Sequence, residues 1–418
     1  MLDIKFIREN SELVQNAAKN KGVDIDIKKI LEIDKKKQIL SQSVQKLQEE
    51  RNALTKNITG KPTPEQIEKG KKVRGQLEKE EKIFGEVKTE LEGLLLSIPN
   101  PSKPDVKVGK DESENEVIRK HKEPTKFSFT PKDHLEIGEA LGIIDMERAA
   151  KVSGSRFAYR LGDLVLLEFA LSQFALEFLI KEGFIPVIPP VLVKREVMQG
   201  LGYMENGGEE DMFTLKDNDL FLVGTAEQSL VPMHKDEVLN LKDLPRRYVG
   251  YSASFRREAG SYGKDTRGIF RNHQFNKIEM VSFVAEGEDD RENDYLLSLE
   301  EKMFQALDIP YQVVKMCTGD LGFPAARKYD IEAWMPGQNK YREVTSVSTV
   351  TDFQSRRLNM KYLDGDEKKY LQVLNGTAFA MSRTPIAILE NYQQVDGSVT
   401  VPEVLKKYIG KDKFVPQK

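Results

Sequence analysis

The sequence predicts an α+β protein in which an N-terminal antiparallel helical coiled-coil arm precedes an antiparallel β-sheet domain flanked by helices. Residues 1–100 are rich in Lys, Glu and Gln and carry apolar residues in a heptad pattern. From about residue 127 onward, aromatic and β-branched residues form short strand-like runs. Few helical patterns separate these runs, which disfavours the regular alternation of a doubly wound parallel sheet.

The heptad pattern predicts a hairpin of two long helices spanning about 28–98. A breaker at 59–64, with the sequence Thr-Gly-Lys-Pro-Thr-Pro, separates two narrow apolar seams. If the turn centres on its prolines, Arg51 and Glu80 lie about one turn apart across the seam, and we expect a buried pair of these residues to set the register. The seams consist of Ile33, Lys37, Leu40, Val44, Leu47, Arg51 and Leu54 on the first helix, and Val73, Leu77, Glu80, Phe84, Val87, Leu91, Leu94 and Ile98 on the second.

The end of this hairpin, which we call the basic tip, carries an uneven charge. Between Arg51 and Arg74 there are seven basic residues and two acidic ones. Two interpretations are open from the residues alone: a solvated charged surface, which is what most charge runs are, or a lever whose end meets nucleic-acid phosphates. The basic residues of the tip are Arg51, Lys56, Lys61, Lys69, Lys71, Lys72 and Arg74.

The rest of the chain is predicted to be a linker at 101–126 and a second domain at 127–418, which leaves 1–100 as the arm domain. Prolines and an acidic stretch are typical of a linker. The second domain has neither a G-x-x-x-x-G-K-[ST] loop nor a strand-linked G-x-G-x-x-G, so a nucleotide site must be built in another way. Strands are expected at Ile185–Val193, Phe221–Val223, Arg247–Phe255, Phe275–Val284, Tyr311–Met316, Tyr329–Trp334 and Arg342–Ser348.

Composition excludes several classes of protein. The 418 residues contain 64 Lys and Arg against 67 Asp and Glu, a formal charge of −3, which excludes a nucleic-acid binder of bulk basicity. A single cysteine, Cys317, and four histidines leave no zinc constellation and predict a reducing, cytoplasmic location. Polar residues interrupt the apolar stretch Leu164–Ile180 along one helical stripe, so we expect a core helix and no membrane span.

The densest group of chemically useful residues lies at 254–280, which reads as a strand, a glycine-bearing polar loop and a returning strand. Strand alternation places Arg256 and Glu258 on one face of the first strand. It places Phe275, Lys277 and Glu279 on one face of the second. Surface ion pairs each contribute under about 1 kcal/mol. That is too little to explain the crowding of cations here, so we expect them to bind a polyphosphate or an RNA end. The cations are Arg256, Arg257, Lys264, Arg267 and Arg271.

A second group lies at 374–391, where small residues lead into an apolar helix that contains a single arginine, Arg383. Two interpretations of a lone arginine near the start of an apolar helix are open. Its side chain can extend along the apolar surface to the solvent. Alternatively, its guanidinium can bind a phosphate or stack on a base.

These segments resemble a known family. Segment 254–280 resembles motif 2 of the class II aminoacyl-tRNA synthetases, and 374–391 resembles their motif 3. The helix, strand and proline pair across 164–193 resemble motif 1, which builds the dimer interface in that family. Several phrases resemble the seryl-tRNA synthetases in particular, and with the arm they cover essentially the whole chain. They are AAKVSGSRF at 149–157, TAE at 225–227, CTGD at 317–320, KYDIE at 328–332 and TDFQSRR at 351–357.

The resemblance implies a serine–tRNA ligase. Such an enzyme joins serine to the α-phosphorus of ATP, releases pyrophosphate, and passes the seryl group to the terminal adenosine of tRNA(Ser). Charging of tRNA(Sec) as well is left open. The chemistry needs charge neutralisation and alignment and no protein nucleophile. The resemblance also implies a homodimer through motif 1 and assigns the basic tip to tRNA binding.

For the nucleotide, the resemblance implies catalytic roles for Arg256, Glu258 and Arg383. Arg256 matches the arginine that holds the α-phosphate, Phe275 the ring that stacks on adenine, and Arg383 the arginine on the other face of adenine or at the γ-phosphate. Glu343 and Ser346 match the positions that hold Mg²⁺, and their different strand parity predicts a bulge between them. The ATP-binding positions are Arg256, Arg257, Glu258, Phe275, Glu343, Val344, Thr345, Ser346 and Arg383.

For the amino acid, the resemblance implies that Glu279 binds the amino group of serine and Thr377 reads its hydroxyl. The structural alternative, that Glu227 and Glu279 are only members of ion pairs, is disfavoured by the motif context because two core carboxylates without a ligand are costly. The serine-binding positions are Thr225, Ala226, Glu227, Arg256, Glu279 and Thr377.

The chain departs from the common bacterial pattern at three positions near the site. Thr349 replaces an asparagine, Thr377 replaces a serine, and Ser382 replaces a glycine before the motif 3 arginine. None of these changes removes a charged group that adenylation needs, so we expect activity to be retained. The alternatives are a non-catalytic coiled-coil RNA-binding homologue, a ligase that charges a carrier protein with an amino acid, and a class II enzyme for threonine or proline.

Overall fold

The computed structural model describes residues 1–56, 62–205, 207–259 and 267–416. Lys61 of the basic tip and Lys264 of the polar loop within 254–280 therefore lie outside the described residues. The helices are α1 (Ile4–Glu9), α2 (Ser11–Asn20), α3 (Ile27–Lys56), α4 (Pro64–Leu96), α5 (His134–Leu141), α6 (Met146–Ser153), α7 (Asp163–Lys181), α8 (Arg195–Leu201), α9 (Glu227–Leu230), α10 (Asp289–Ala306), α11 (Phe353–Leu358), α12 (Thr384–Asn391) and α13 (Glu403–Ile409).

The strands follow the expected α+β distribution, since they lie beyond the long helices α3 and α4. They are β1 (Glu116–His121), β2 (Ile144–Asp145), β3 (Tyr159–Arg160), β4 (Ile185–Val187), β5 (Leu192–Lys194), β6 (Thr214–Leu215), β7 (Leu220–Leu222), β8 (Val238–Asn240), β9 (Arg246–Phe255), β10 (Gln274–Val284), β11 (Tyr311–Lys315), β12 (Arg327–Met335), β13 (Lys340–Thr351), β14 (Lys361–Asp364), β15 (Glu367–Tyr370), β16 (Gln372–Ala380), β17 (Val399–Thr400) and β18 (Lys413–Phe414).

Met1–Pro101 form one of two compact units, and its long helices α3 and α4 pair along the predicted seams. A buried cluster joins positions of both heptad frames, with further apolar residues partly buried beside it. This confirms the coiled-coil arm. The cluster consists of Val44, Leu47, Val73 and Leu77, with Leu54 and Phe84 packed against it.

The start of α4 follows from its first residues. Thr63 Oγ1 accepts a hydrogen bond from the Gln66 amide at 3.3 Å, and Gln66 Oε1 accepts one from the Thr63 amide at 2.9 Å. This reciprocal capping box satisfies two backbone donors that the helix itself leaves unpaired, and Pro64 fits the first helical position because it has no amide hydrogen to lose.

The expected buried pair of Arg51 and Glu80 is wrong. Arg51 is exposed and donates to Asn52 Oδ1 at 3.2 Å, while Glu80 accepts from Gln76 on its own helix at 3.4 Å. A two-helix seam is open to solvent on both sides, so a long guanidinium side chain can leave it without cost.

Ser102–Lys418 form the second unit, which is built on a sheet with the strand order β1-β11-β12-β13-β16-β10-β9-β4. Neighbouring strands are antiparallel except β4 and β9, which run parallel. Strand β1 lies within 101–126, so the segment that we predicted to be a linker supplies an edge strand. Its polar composition suits an edge, because most of its side chains are exposed.

Strand β16 lies in the centre of this sheet and is buried along its whole length. The sequence pattern led us to expect small residues followed by a helix containing Arg383. Instead, Gln372–Ala380 are extended, and α12 begins only at Thr384, with Arg383 as its N-cap residue. A strand covered on both faces shows no polar alternation, so periodicity alone does not distinguish it from a buried helix.

The core of the second unit lies between the sheet and the helices α7, α10 and α12. Leu167 and Leu171 of α7, Phe304 of α10, Ile388 of α12 and Phe379 of β16 are buried in one apolar cluster. This confirms the expectation that Leu164–Ile180 is a core helix. Among the helices of the described residues, none has the length and hydropathy that a membrane crossing requires.

Candidate active site

A cavity of about 420 Å³ lies in the second unit, against strands β9, β10, β13 and β16 and the loops that continue them. Most of the ATP- and serine-binding positions implied by the resemblance line it, although they are far apart in the sequence. Those that line it are Thr225, Glu227, Arg256, Glu258, Phe275, Glu279, Glu343, Val344, Thr345, Ser346, Thr377 and Arg383.

Strand β10 presents the expected face to the cavity. Phe275, Lys277 and Glu279 all line it, as strand alternation predicts. Strand β9 differs from the prediction, because it ends at Phe255 and leaves Arg256 and Glu258 in the following loop. Glu258 has a φ of +51°, so the chain turns there and both side chains reach the cavity without strand alternation.

Arg256 is held between the loop after β7 and strand β10. Its Nε donates a hydrogen bond to the Gly224 carbonyl at 3.1 Å, and its guanidinium lies 5.4 Å from the centre of the Phe275 ring. The backbone at Arg256 is also fixed, because His273 Nδ1 lies 2.9 Å from its carbonyl oxygen. The cavity thus places a planar cation and an aromatic ring side by side, which suits a phosphate joined to an aromatic base.

Arg383 pairs with Glu343 on the neighbouring part of the cavity. Its Nη1 lies 2.8 Å from Glu343 Oε2 and donates to the Glu343 carbonyl at 3.1 Å. Burial alone would raise the pKa of the Glu343 carboxyl, but the charges of Arg383 and Lys328 outweigh it and hold the pKa well below its usual range. Glu343 is therefore an ionised oxygen donor at neutral pH.

The bulge expected near Glu343 is confirmed. Along β12 and β13, Ile331 pairs with Thr345 and Glu332 pairs with Glu343, so Val344 is an extra residue without a partner in the register. The bulge shifts the alternation, and both Glu343 and Ser346 line the cavity. A carboxylate and a hydroxyl fit Mg²⁺, which is commonly held by one or two carboxylates together with substrate phosphates.

A network of hydrogen-bonded charges also lines the cavity. Glu279 Oε2 lies 2.6 Å from the Lys277 ammonium and accepts a hydrogen bond from Thr377 Oγ1 at 3.3 Å. Lys277 also donates to Thr225 Oγ1 at 3.1 Å. The side chains of Lys277 and Glu279 are 9% and 2% exposed, so this ion pair lies in a low-dielectric site where its partners determine its energy.

Glu227 lies beside this network with partners of its own. Tyr203 Oη donates to Glu227 Oε2 at 2.8 Å, and Gln354 Nε2 donates to Oε1 at 3.0 Å. Burial raises the pKa of Glu227, the hydrogen bond from Gln354 opposes it, and the nearby charge of Glu279 adds to it. Perturbed carboxyl groups that line a cavity are typical of functional sites.

Two further carboxyl groups lie close to the cavity-lining strands. Glu300 of α10 is fully buried and accepts a hydrogen bond from Thr345 Oγ1 at 2.8 Å, and burial raises its pKa well above the usual range. Asp330 lies 3.1 Å from Lys328. Burial raises the pKa of Asp330 to about 8, although the charge of Lys328 opposes the shift.

Several predicted residues lie elsewhere. Arg257 is exposed and is not among the described residues that line the cavity, and its amide donates to the Asp211 carbonyl at 3.0 Å. Ala226 is fully buried under the cavity wall, where it packs close to Gly250. The described residues of the basic tip are all exposed, namely Arg51, Lys56, Lys69, Lys71, Lys72 and Arg74.

The sequence analysis missed or left unassigned several cavity residues. A signal existed for Lys277, which shares a strand face with Phe275 and Glu279, and for Lys328, which lies in the KYDIE phrase. No local pattern pointed to Tyr203 or Phe270, because each reaches the cavity from a loop. Gln354, in the TDFQSRR phrase, acts on the site through Glu227.

Two of the three departures from the common bacterial pattern are accommodated by hydrogen bonds. Thr349 Oγ1 donates to the buried Asp289 Oδ2 at 3.1 Å, and Thr377 retains a hydroxyl that bonds to Glu279. Ser382 is buried and lines the cavity just before Arg383. All three side chains are therefore compatible with the charged groups of the site.

The fold and the site together define the core of a class II aminoacyl-tRNA synthetase. Residues 213–392 match the family model described as tRNA synthetase class II core domain (G, H, P, S and T). Residues 1–102 match the model described as Seryl-tRNA synthetase N-terminal domain.

Curated relatives match over their full length. The serine–tRNA ligase of Dictyoglomus thermophilum is 46% identical over 426 residues, which cover 100% of this chain and 100% of that protein. The serine–tRNA ligase of Pyrococcus horikoshii is 43% identical over 446 residues, with coverage of 100% and 98%. The chain belongs to the seryl-tRNA synthetase family.

Solved structures of seryl-tRNA synthetases share this fold over the whole chain. The seryl-tRNA synthetase of Pyrococcus horikoshii complexed with ATP superposes with a TM-score of 0.94 at 42% identity and covers 100% of both chains. The cytoplasmic serine–tRNA ligase of Naegleria fowleri in complex with AMP gives a TM-score of 0.90 at 32% identity, with coverage of 100% and 99%.

Proposed function

We propose that this protein is a serine–tRNA ligase, which activates serine with ATP and transfers the seryl group to the terminal adenosine of tRNA(Ser). The observation that carries the proposal is that one cavity is lined by Arg256, Phe275 and Arg383 together with Glu279 and Thr377. Such a cavity can hold an adenosine polyphosphate and a small polar amino acid at once.

In the first step, a carboxylate oxygen of serine forms a bond to the α-phosphorus of ATP. The bond from that phosphorus to the bridging oxygen breaks, and pyrophosphate leaves with the electron pair. Arg256 neutralises the α-phosphate, and Phe275 stacks on adenine. Arg383 binds the opposite face of adenine or the γ-phosphate. These cations are oriented before the substrate binds, which is how charge stabilisation lowers a barrier most effectively.

Glu343 and Ser346 would hold Mg²⁺ when ATP binds. The bound ion would neutralise phosphate charge. The contribution of this chain is to keep Glu343 ionised through Arg383 and Lys328, whose charges lower the pKa of the Glu343 carboxyl. Arg383 also contacts the Glu343 carbonyl, so the arginine and the carboxylate orient each other.

At the amino-acid end, Glu279 binds the amino group of serine, and Thr377 reads its hydroxyl. Lys277 balances the charge of Glu279 in this buried setting, and Tyr203 and Gln354 orient Glu227. Buried polar groups that hydrogen-bond to the hydroxyl of serine discriminate against an amino acid that lacks a hydroxyl. With such an amino acid bound, these groups would have no hydrogen-bond partner.

The second step involves tRNA, and we assign its binding to the basic tip of the arm. The described cations of the tip are exposed, as contact with phosphates requires. A homodimer through the motif 1 segment is part of the proposal, because that segment exposes large apolar side chains: Phe169 is 63% exposed and Ile188 84% exposed. Cytoplasmic location and charging of tRNA(Sec) are further parts that need their own tests.

The decisive experiment is ATP–pyrophosphate exchange with serine, threonine, alanine or glycine, performed on the wild type and on Arg256→Ala. We expect exchange with serine, at least about 100-fold less with alanine because the hydroxyl is missing, and a loss of about 100-fold or more in Arg256→Ala. Exchange that prefers threonine would favour an enzyme for another amino acid, and no exchange with any of the four would favour the non-catalytic homologue.

A transfer assay separates the remaining alternative. With serine, ATP and either tRNA(Ser) or an acyl-carrier protein as acceptor, we expect seryl transfer only to the tRNA. Deletion of residues 56–72 should weaken transfer while leaving pyrophosphate exchange intact. If the deletion does not affect transfer, the basic tip does not bind tRNA and is only a solvated charged surface. Seryl transfer to tRNA(Sec) in the same assay would extend the substrate range.

A further inference from the structure

A buried histidine lies behind the part of the cavity that Phe270 lines. His134, the first residue of α5, is 6% exposed, and its Nε2 accepts a hydrogen bond from the Ile269 amide at 3.3 Å. A ring nitrogen that accepts carries no proton, so the proton of the neutral imidazole lies on Nδ1. That nitrogen lies 3.5 Å from Glu390 Oε1.

Glu390 connects this histidine to α12, the helix that Arg383 caps. Its side chain is fully buried, and its two oxygens accept hydrogen bonds from the His134 amide at 3.1 Å and the Gly337 amide at 2.9 Å. The carboxyl group therefore fixes the start of α5 against α12. The imidazole in turn fixes the backbone at Ile269.

The chain approaches the imidazole closely enough to require a glycine. Gly268 has a φ of +70°, and a Cβ atom added there would lie 2.1 Å from His134 Nε2. Both the backbone conformation and the space exclude a side chain. The contact of His134 with 268–269 is thus a tight backbone contact.

The residue that follows this contact belongs to the cavity. Phe270 lines it, and the centre of its ring lies 4.9 Å from the Arg383 guanidinium and 4.1 Å from that of Arg342. Ile269 is fully buried, so its peptide has little freedom to move independently of Phe270. A shift of the Ile269 peptide would therefore displace the aromatic ring on which Arg383 lies.

We propose that His134 and Glu390 are positioning residues for ATP binding. They hold the Ile269 peptide so that the Phe270 ring supports Arg383 in the cavity. Neither residue is among the described residues that line the cavity, so they act through Phe270 and Arg383. The proposal rests on the proposed function, in which Arg383 binds ATP.

The test compares KM values for ATP and for serine in pyrophosphate exchange. In His134→Ala the Ile269 amide loses its acceptor, and we expect KM for ATP to rise roughly 10-fold while KM for serine stays within about 2-fold. In His134→Gln the side-chain oxygen can accept the same hydrogen bond, so we expect KM for ATP within about 3-fold of the wild type. Glu390→Gln turns one of the two oxygens that accept from the His134 and Gly337 amides into an NH₂ group that cannot accept, so we expect KM for ATP to rise while KM for serine stays within about 2-fold.

A pair of glycine variants provides a matched control. Gly268→Ala places a methyl group against His134 and should raise KM for ATP at least as much as His134→Ala. Gly287→Ala imposes a similar backbone penalty at a φ of +84°, but nothing lies within 4 Å of its added Cβ, so its KM for ATP should not change. Fluorescence of the single tryptophan, Trp334, reports whether each variant is folded.

The outcomes separate the hypotheses. Unchanged KM for ATP in His134→Ala and Gly268→Ala, or equal rises in KM for ATP and for serine, would overturn the positioning role while leaving serine activation intact. If His134→Ala does not fold, Gly268→Ala decides on the same criterion, and a rise of 10-fold or more in KM for ATP in His134→Gln would contradict the assigned hydrogen bond. Absence of serine-dependent exchange in the wild type would instead overturn the proposed function itself.

Discussion

The basic tip of the arm and the cavity of the second unit use the same kinds of charged residue in opposite environments. At the tip, Arg74 and Glu78 pair at 2.9 Å, with side chains 77% and 63% exposed. In the cavity, Arg383 pairs with Glu343 at 2.8 Å, with side chains 16% and 38% exposed. Water and salt screen the charges at the tip, so each one alone contributes little binding free energy. The tip therefore depends on the sum of its charges. The charges of the cavity pair are less screened, so we expect removal of Arg383 to have a large effect.

The largest effect is expected in Arg383→Ala, which removes a cation from the cavity and leaves Glu343 without its closest partner. Pyrophosphate exchange should fall about 100- to 1000-fold, because a preoriented charge is lost where phosphate charge develops. Arg257→Ala is the matched control, because Arg257 is exposed outside the cavity and should change exchange by less than about 3-fold. Equal losses in the two variants would contradict the distinction between buried and exposed arginines.

A second buried charge should affect stability. Glu168 of α7 lies 3.0 Å from the Arg160 guanidinium, and burial raises the pKa of Glu168 to about 7 although Arg160 opposes the shift. Since the folded chain binds this proton more tightly than the unfolded chain, Glu168 should destabilise the fold progressively as pH rises from about 4.5 to above 7. The full difference in unfolding free energy is on the order of 3 kcal/mol.

Glu168→Gln removes that dependence. We expect the unfolding free energy of Glu168→Gln, relative to that of the wild type, to increase as pH rises from 5 to 8 when both are measured at one protein concentration. Glu177→Gln on the same helix is the control, because Glu177 is only half-buried and its pKa is lowered by hydrogen bonds from Tyr408 and Lys407. A wild type and Glu168→Gln variant with parallel pH profiles would show that Glu168 titrates normally.

At the tip, a smaller and more selective effect is expected. Replacing Lys69, Lys71 and Lys72 together by Ala should lower kcat/KM for tRNA about 10-fold at low salt and less at high salt, because phosphate contacts release counterions. Pyrophosphate exchange should not change. Replacing Lys79 and Lys82, further along the same helix, tests whether the effect belongs to the tip. An equal loss in both variants would indicate a general charge effect.

The smallest effect is expected for Thr377→Ser. Serine keeps the hydroxyl that donates to Glu279 Oε2 at 3.3 Å and loses only a methyl group. KM for serine should change by less than about 3-fold, since roughly one methyl contact is removed. A change of 10-fold or more in KM for serine, with KM for ATP constant, would show that the methyl group shapes the pocket.

Much of this arrangement was predictable because it depends on local periodicity. The heptad frame placed Val73 and Leu77 on a buried seam, and strand alternation placed Phe275 and Glu279 on one face. Even the bulge at Val344 followed from the parity of the two predicted magnesium ligands. These features repeat at the period of the helix or the strand, which the backbone geometry determines.

The sequence by itself determined the α+β class, the seams of the arm and the motifs that resemble the family. Only the tertiary structure decided that 372–380 is a central strand and that Arg383 caps the next helix. It also decided that Tyr203 and Gln354 hold Glu227 and that His134 holds Ile269. The physical reason is that periodicity depends on residues close together in the sequence. The hydrogen-bond partner of a buried polar group depends on how distant segments pack together.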